Sequence, residues 1–592
     1  MQPRQNYQDG QELQRRSSSL QREREDGHLD QESSPKQASA EAENPSDESR
    51  SQTQYTSHAD PEKTINETAH HDIKPASQAI TAQDWTGPDD PENPHNWSLL
   101  KRCLHIFPIA FLSFAVTAGS SLITPSTPEI AQQFSVSRTV SILSLSLFVF
   151  GLGIGPMIAA PISETLGRNM VYKISGLVYM LFILGSGFSE TLASLLVCRF
   201  FAGVAGGPVL AVGAGTNADV FPLHLRAVSS SFYIMAPFLG PSIGPVIGGF
   251  AAQLKGWRWT QWCTIFIALA AYLTVLPMQE TYKKVILQRR ATRLGAAPAP
   301  AAAKKGWAQI EMVLTITLAR PLHMLATEPI VALFSAYNAF TFGVLFAFFA
   351  AYPYTFQTVY GFNTWQYGLT FLGIGIGVLL GLMTAITIDR KIYMRLHRQT
   401  KREGKSVIAP EHRLYVGMAG AFGVPVGLFW FAWTANPQTH WISPVLAGIP
   451  FAWGNLCVFV SAATYLIDVY GALNGASAMA ANGLARYTLG AVFPLFTFQM
   501  YRHLGIAWAT SLLGFKPESY LFENLPSPSR ARIMSLLQPG TPIAKTPILP
   551  ISSGGEMLPL PMTLSIRISA QTRACEQRYI DIARASYSTP TL

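Results

Sequence analysis

From Cys103 onward the chain is written in long apolar runs separated by short polar breaks. The runs fall at roughly 103–124, 139–161, 170–188, 191–218, 228–252, 259–277, 329–351, 367–388, 414–434, 441–467 and 475–500. A membrane-spanning helix needs about 20 predominantly apolar residues, so each run predicts one span. Gly and Pro are frequent inside them, which spanning helices tolerate better than soluble ones do. A membrane barrel would alternate polar and apolar residues over short segments, and these runs do not. A twelfth run, GIAWATSLLGF, ends at Phe515. Its eleven residues make about 16 Å of helix, against a hydrocarbon core of about 30 Å. The twelfth span is therefore expected to be truncated. The remainder, 516–592, is rich in Ser, Pro and Arg, and a gene-model artefact is its preferred explanation.

The breaks carry the charge. Residues 278–328 and 389–413 each hold eight Lys or Arg. With the N-terminus inside, Arg168 and Arg226 join them on the cytosolic side, and Arg138, Lys255, Arg258 and Arg502 lie outside. That is the positive-inside asymmetry of a polytopic membrane protein. The segment KKVILQRRATR reads as an interfacial basic helix facing anionic lipid. Six spans (101–277), a long basic loop (278–328) and more spans (329–515) form a two-half layout. Many transporters use it, binding substrate near the midplane between the halves.

Composition sharpens this. Only 13% of residues are charged, about half the share usual in soluble domains. Residues 1–100 hold 19 acidic and 9 basic side chains. They are too polar to offset chain entropy and are expected to be a disordered cytosolic tail. The net charge of +9 thus belongs to loops, and no nucleic-acid partner is expected. Cys103, Cys198, Cys263, Cys457 and Cys575 form no metal-binding or disulfide spacing. No HxxxD, HxxE or phosphate-binding loop appears, so neither an enzyme nor an ATP-driven pump is expected. An ion gradient must then drive any transport, without a cofactor.

Three stretches carry candidate chemistry. In PISETLGRNM, Glu164 and Arg168 are placed to pair across a tight turn at Gly167 and latch two helices. In LLVCRFFAGVAGGPVLAVGAGTNADVF, Arg199 lies deep in a span, where charge is expensive and suggests function. It is placed to bind substrate or to modulate the proton affinity of a nearby carboxylate, and Asp219 closes the same helix. In APFLGPSIGPVIGGF, Gly240, Gly244, Gly248 and Gly249 alternate with Pro241 and Pro245, combining close helix approach with kinks.

These stretches match a family. The chain resembles the major facilitator superfamily, and within it the fungal drug:proton antiporters of twelve spans. APISETLGR resembles the family's loop after the second span, RFFAGVAGGPVLAVGAGTNADVF its fourth span, GPSIGPVIGG its antiporter motif, and DPENPHNWS the segment before its first span. The resemblance implies an all-α major facilitator fold and proton-driven export, by alternating access, of drugs, toxins, secondary metabolites or polyamines. It also implies that Tyr337, Asn338, Asn482 and Arg486 face the cavity from the second half. Partners would be a small molecule, protons and the bilayer, with the chain a monomer in the plasma membrane or the vacuolar membrane. Two alternatives remain: an inactive transporter-like protein lacking its twelfth span, and an uptake carrier on the same fold. The family usually carries a glutamate in a stretch like FFEAYP, where this chain reads FFAAYP with Ala350. Neutral or anionic substrates are therefore expected over polyamines.

Overall fold

A computed structural model describes residues 84–294, 319–402 and 409–515. The expected disorder before residue 84, the middle of the central loop and the nature of 516–592 lie outside the described residues. Among those described, every regular element is a helix.

The first half comprises α1 (Leu99–Ser121), α2 (Arg138–Leu166), α3 (Arg168–Gly187), α4 (Leu192–Val220), α5 (Leu223–Lys255) and α6 (Trp257–Val275). The second begins with α7 (Pro329–Tyr360). It continues with α8 (Thr364–Thr370 and Leu372–Ile388) and α9 (Leu414–Ala421 and Gly423–Thr434). Residues 442–515 form a nearly continuous helical stretch that turns at Gly471 (φ 69°) and Gly505 (φ 75°). These are left-handed backbone positions that favour glycine. They divide it into α10 (442–470), α11 (472–504) and α12 (506–515). Every predicted span coincides with a helix. Nine helical segments among the described residues are long and apolar enough to cross a membrane.

Helix starts follow local chemistry. Ser98, Ser137 and Thr191 each accept a hydrogen bond from a first-turn amide of α1, α2 and α4. Asn363 and Gln366 form a reciprocal capping box at α8. The halves meet along α2 with α11 and α5 with α8. Gly153 lies against Tyr487, and Gly368 against the Pro245 carbonyl.

One expectation about the polar segments is corrected. Residues 84–100 are not part of a disordered tail: a short 3-10 turn at Pro94–Asn96 precedes α1, and Trp97 is buried. The Asp90 carboxylate orders this segment by accepting from the Thr86 amide and hydroxyl and the Glu92 amide. The basic stretch is a helix, Lys283–Arg293, as expected; Lys284 and Arg289 are exposed, and its other three basic side chains pair with protein. Arg290 pairs with Asp90 and Glu92, Arg293 with Glu92, and Lys283 with Asp84. Its apolar residues Val285, Ile286 and Leu287 are buried.

Candidate functional site

The end of the bundle bearing the helix Lys283–Arg293 and the α8–α9 connection is here called the basic end. There Gly167 turns the chain from α2 into α3 with φ 97°. Glu164 does not make the expected latch: it is exposed, and Arg168 pairs instead with Asp219 at 3.2 Å. The reason is Glu280, which sequence reading missed. Its carboxylate accepts from the backbone amides of Arg168, Asn169, Thr281 and Tyr282. An anion at a helix start satisfies amides that have no partner within the helix. This fixes the α3 start and aims the Arg168 side chain at α4, with its guanidinium also over Tyr282. Nothing local in the sequence signals this, because Glu280 follows four helices later. The second half repeats the arrangement: Arg413, just before α9, pairs with Asp468 at the end of α10 at 2.8 Å and lies 3.6 Å from Asp389.

Arg199 is completely buried. Its guanidinium donates to the carbonyls of Ser144, Gly119 and Ser120 at 3.0, 2.9 and 3.1 Å and lies over the Phe148 ring. The last two carbonyls end α1, so the cation caps that helix where its dipole is negative. Among the described residues it has no carboxylate partner.

The glycines of α5 do what their spacing implied. A side chain at Gly240, Gly244 or Gly248 would collide with Thr117, Ser121 or Leu122 on or just after α1. A Cβ at Gly249 would lie 2.9 Å from the Thr364 carbonyl at the start of α8. The helix runs unbroken through Pro237, Pro241 and Pro245. One row of glycines thus packs α5 inside its half, and its last member contacts the other half.

Away from the basic end, the halves are drawn together. The Tyr367 hydroxyl donates to the Pro125 carbonyl, the Trp365 amide to Gln253, and the Gln499 amide to the Thr139 hydroxyl. Phe250 stacks on Trp365. At the basic end a pocket opens between the halves, lined by Ser230 and Ser231 of α5, Asp389, Arg413, and Val460 and Thr464 of α10.

Midway along α7 and α11 lies a second arrangement. The Arg486 guanidinium sits 4.7 Å from the Phe342 ring, 4.3 Å from Phe459 and 4.7 Å from Tyr487. Phe238 of α5 closes on Phe459 and Phe342 from the first half. Asn338 and Asn482 are buried, and among the described residues neither atom of either side-chain amide has a partner. Tyr337 is buried beside Asn338. Ala350 lies further along α7, in a small crevice with Thr124, Thr127, Phe349 and Pro494. Asn482 stands one turn from Arg486 on α11, and Asn338 one turn from Phe342, whose ring meets that guanidinium; Arg199 and Asp219 lie elsewhere.

Comparison with known proteins agrees with this architecture. Residues 109–494 match the family model described as Major Facilitator Superfamily. Polyamine transporter 4 of Saccharomyces cerevisiae is 40% identical over 457 residues, covering 72% of this chain and 68% of that one. The MFS-type efflux pump MFS2 of Trichophyton rubrum is 40% identical, covering 72% of each. The citrinin biosynthesis cluster MFS transporter mrr1 of Monascus ruber is 38% identical, covering 75% of this chain and 89% of that one. Among solved structures, the partially occluded inward open xylose transporter XylE from E. coli shares the fold with a TM-score of 0.51 at 16% identity, covering 71% of this chain and 98% of that chain. With its helices, its two-half contacts and these relatives in agreement, this chain belongs to the major facilitator superfamily and is a multi-pass membrane transporter.

Proposed function

We propose that this protein exports small amphipathic organic molecules from the cytosol by alternating access, in exchange for protons. The observation that carries the reading is the asymmetry of the interface between the halves. Hydrogen bonds join the halves at the end away from the basic end, and at the basic end a small pocket lies between them. The excess of Lys and Arg assigns the basic end to the cytosol, so the pocket faces the compartment from which an exporter loads. The aromatic and amide groups around Arg486 suit a ligand with an apolar body and a polar head. Relatives named as an efflux pump and as a biosynthesis-cluster transporter support export over uptake. Proton coupling follows the antiporters that the chain resembles, and the plasma membrane is the proposed location.

The test is efflux from drug-sensitive fungal cells expressing the full chain. Cells are loaded with a panel of fluorescent and antifungal compounds, with and without a protonophore. Efflux abolished by the protonophore is expected. Protonophore-insensitive efflux would remove the coupling, and inward accumulation would reverse the direction.

A further inference from the structure

Two arginines lie deep within spans, and they are treated differently. Arg199 has three carbonyl acceptors. Arg486 has three aromatic faces, which attract its charge but offer no lone pair to its N–H donors. Its Nε is buried without an acceptor among the described residues. Among the described residues no carboxylate lies within ion-pairing distance of it.

The two unmatched amides are its neighbours. Asn482 precedes Arg486 by four residues on α11, and Asn338 precedes Phe342 by four on α7. Side chains four apart share a helix face. The Tyr470 hydroxyl, at the end of α10, donates to Glu328, where α7 starts. Further along, Tyr354 of α7 packs on Phe498 and Tyr501 of α11. The helices α7 and α11 therefore run side by side in the same direction. Phe342 meets Tyr487 at 5.4 Å between ring centroids, which sets their register. Asn338 and Asn482 then stand at one depth, a single turn toward the basic end from the guanidinium. Buried polar groups without partners are costly, and here the Nε of Arg486 and two amides share that condition among the described residues.

We propose that Arg486, Asn482 and Asn338 form an oxyanion subsite. It receives the carboxylate, enolate or sulfonate of a planar aromatic substrate whose ring system lies among Phe238, Phe342, Phe459 and Tyr487. The inference rests on the export reading above and names its substrate class. The planar guanidinium matches a delocalised oxyanion. The amide nitrogens add donors, and their carbonyls accept from a neighbouring hydroxyl on the ligand. A polycation would meet like charge here, and a neutral compound would leave the guanidinium uncompensated.

The test uses two dyes with one aromatic skeleton: 8-anilino-1-naphthalenesulfonate, and N-phenyl-1-naphthylamine, which lacks the sulfonate. Equilibrium binding is measured on the full chain in lipid nanodiscs, against empty discs. R486Q is expected to weaken sulfonate binding at least tenfold while changing neutral-dye binding less than twofold, which also reports an intact fold. R486K keeps the charge without the planar fork and is expected to restore only part of the loss. N482L and N338L are each expected to weaken the sulfonate severalfold. Equal sulfonate binding by wild type and R486Q, or none by wild type above empty discs, overturns the subsite. Dye export from proteoliposomes is scored separately. Selective binding without export of either dye would leave the subsite standing and overturn the export reading. Export of both dyes in a ratio unchanged by R486Q would do the reverse.

Discussion

Asp90 and Arg290 stand 200 positions apart and meet through two hydrogen bonds of 2.6 and 2.7 Å. The Asp90 side chain is fully buried in this contact, and Glu92 adds a third bond to the same guanidinium at 2.7 Å. The segment before α1 and the helix leading out of the first half are thereby clasped to each other. His95 extends the contact toward the Ala218 carbonyl, next to Asp219.

Asp90→Asn is expected to loosen this clasp by about 1.5–3 kcal/mol, because two charge-assisted bonds to Arg290 are weakened while Glu92 stays as its charge partner. Faster tryptic cleavage within Lys283–Arg293 and faster amide exchange over 84–97 would report the change. Unchanged cleavage and exchange would show that the pair adds nothing to docking.

The same contact sets a pH response. The Arg290 guanidinium, with the Glu92 and Thr86 amides, holds the Asp90 carboxyl well below the usual carboxylate range. A folded-state pKa below the unfolded one gives stability that is fully present above the unfolded value. It is lost as pH falls toward the folded value. Exchange protection of 84–97 is therefore expected to persist through pH 4, where free carboxylates protonate. Loss of protection at pH 5 would contradict this.

Arg199→Ala is expected to abolish transport through loss of helix packing rather than loss of a substrate contact. It leaves the Gly119, Ser120 and Ser144 carbonyls without their buried donor, at about 1–3 kcal/mol for each group left unsatisfied. Arg199→Lys should recover only part, since one ammonium on a flexible stem lacks the planar fork. The measurement is the midpoint of thermal unfolding alongside efflux. A variant with wild-type unfolding and no efflux would return Arg199 to a direct role in transport.

Gly249→Leu is expected to separate the halves at the end away from the basic end, since the Thr364 carbonyl and Trp365 Cα occupy the space a side chain would need. A disulfide between cysteines placed at Phe250 and Trp365 should then form about tenfold less readily than in the Gly249 parent. Gly244→Leu collides instead with Ser121 inside the first half. It is expected to slow the transport cycle without the same loss of cross-linking.

Ala350→Glu would place a carboxylate in the crevice with Thr124, Thr127 and Phe349. Spermidine efflux is expected to rise several-fold over the Ala350 parent, and efflux of organic anions to fall by a similar factor. Wild-type spermidine efflux equal to that of Ala350→Glu would refute the selectivity assigned to this position.

The sequence alone determined the spans, the basic end and the close-packing face of α5. Each depends on residues near one another in the chain: the length of an apolar run, a cluster of Lys and Arg, a glycine every four residues. It also singled out Arg199 and Arg486, because charge inside an apolar run is visible without a structure. Tertiary structure alone decided what each charge meets. Arg168 turned to Asp219 rather than Glu164 because Glu280 holds the α3 start from beyond four helices. The segment 84–97 became ordered because Arg290 reached it. Arg199 found three carbonyls, and Arg486 found none among the described residues. A polar group buried in an apolar bundle takes whichever partner lies within about 3 Å, and packing, not sequence distance, sets which partner that is.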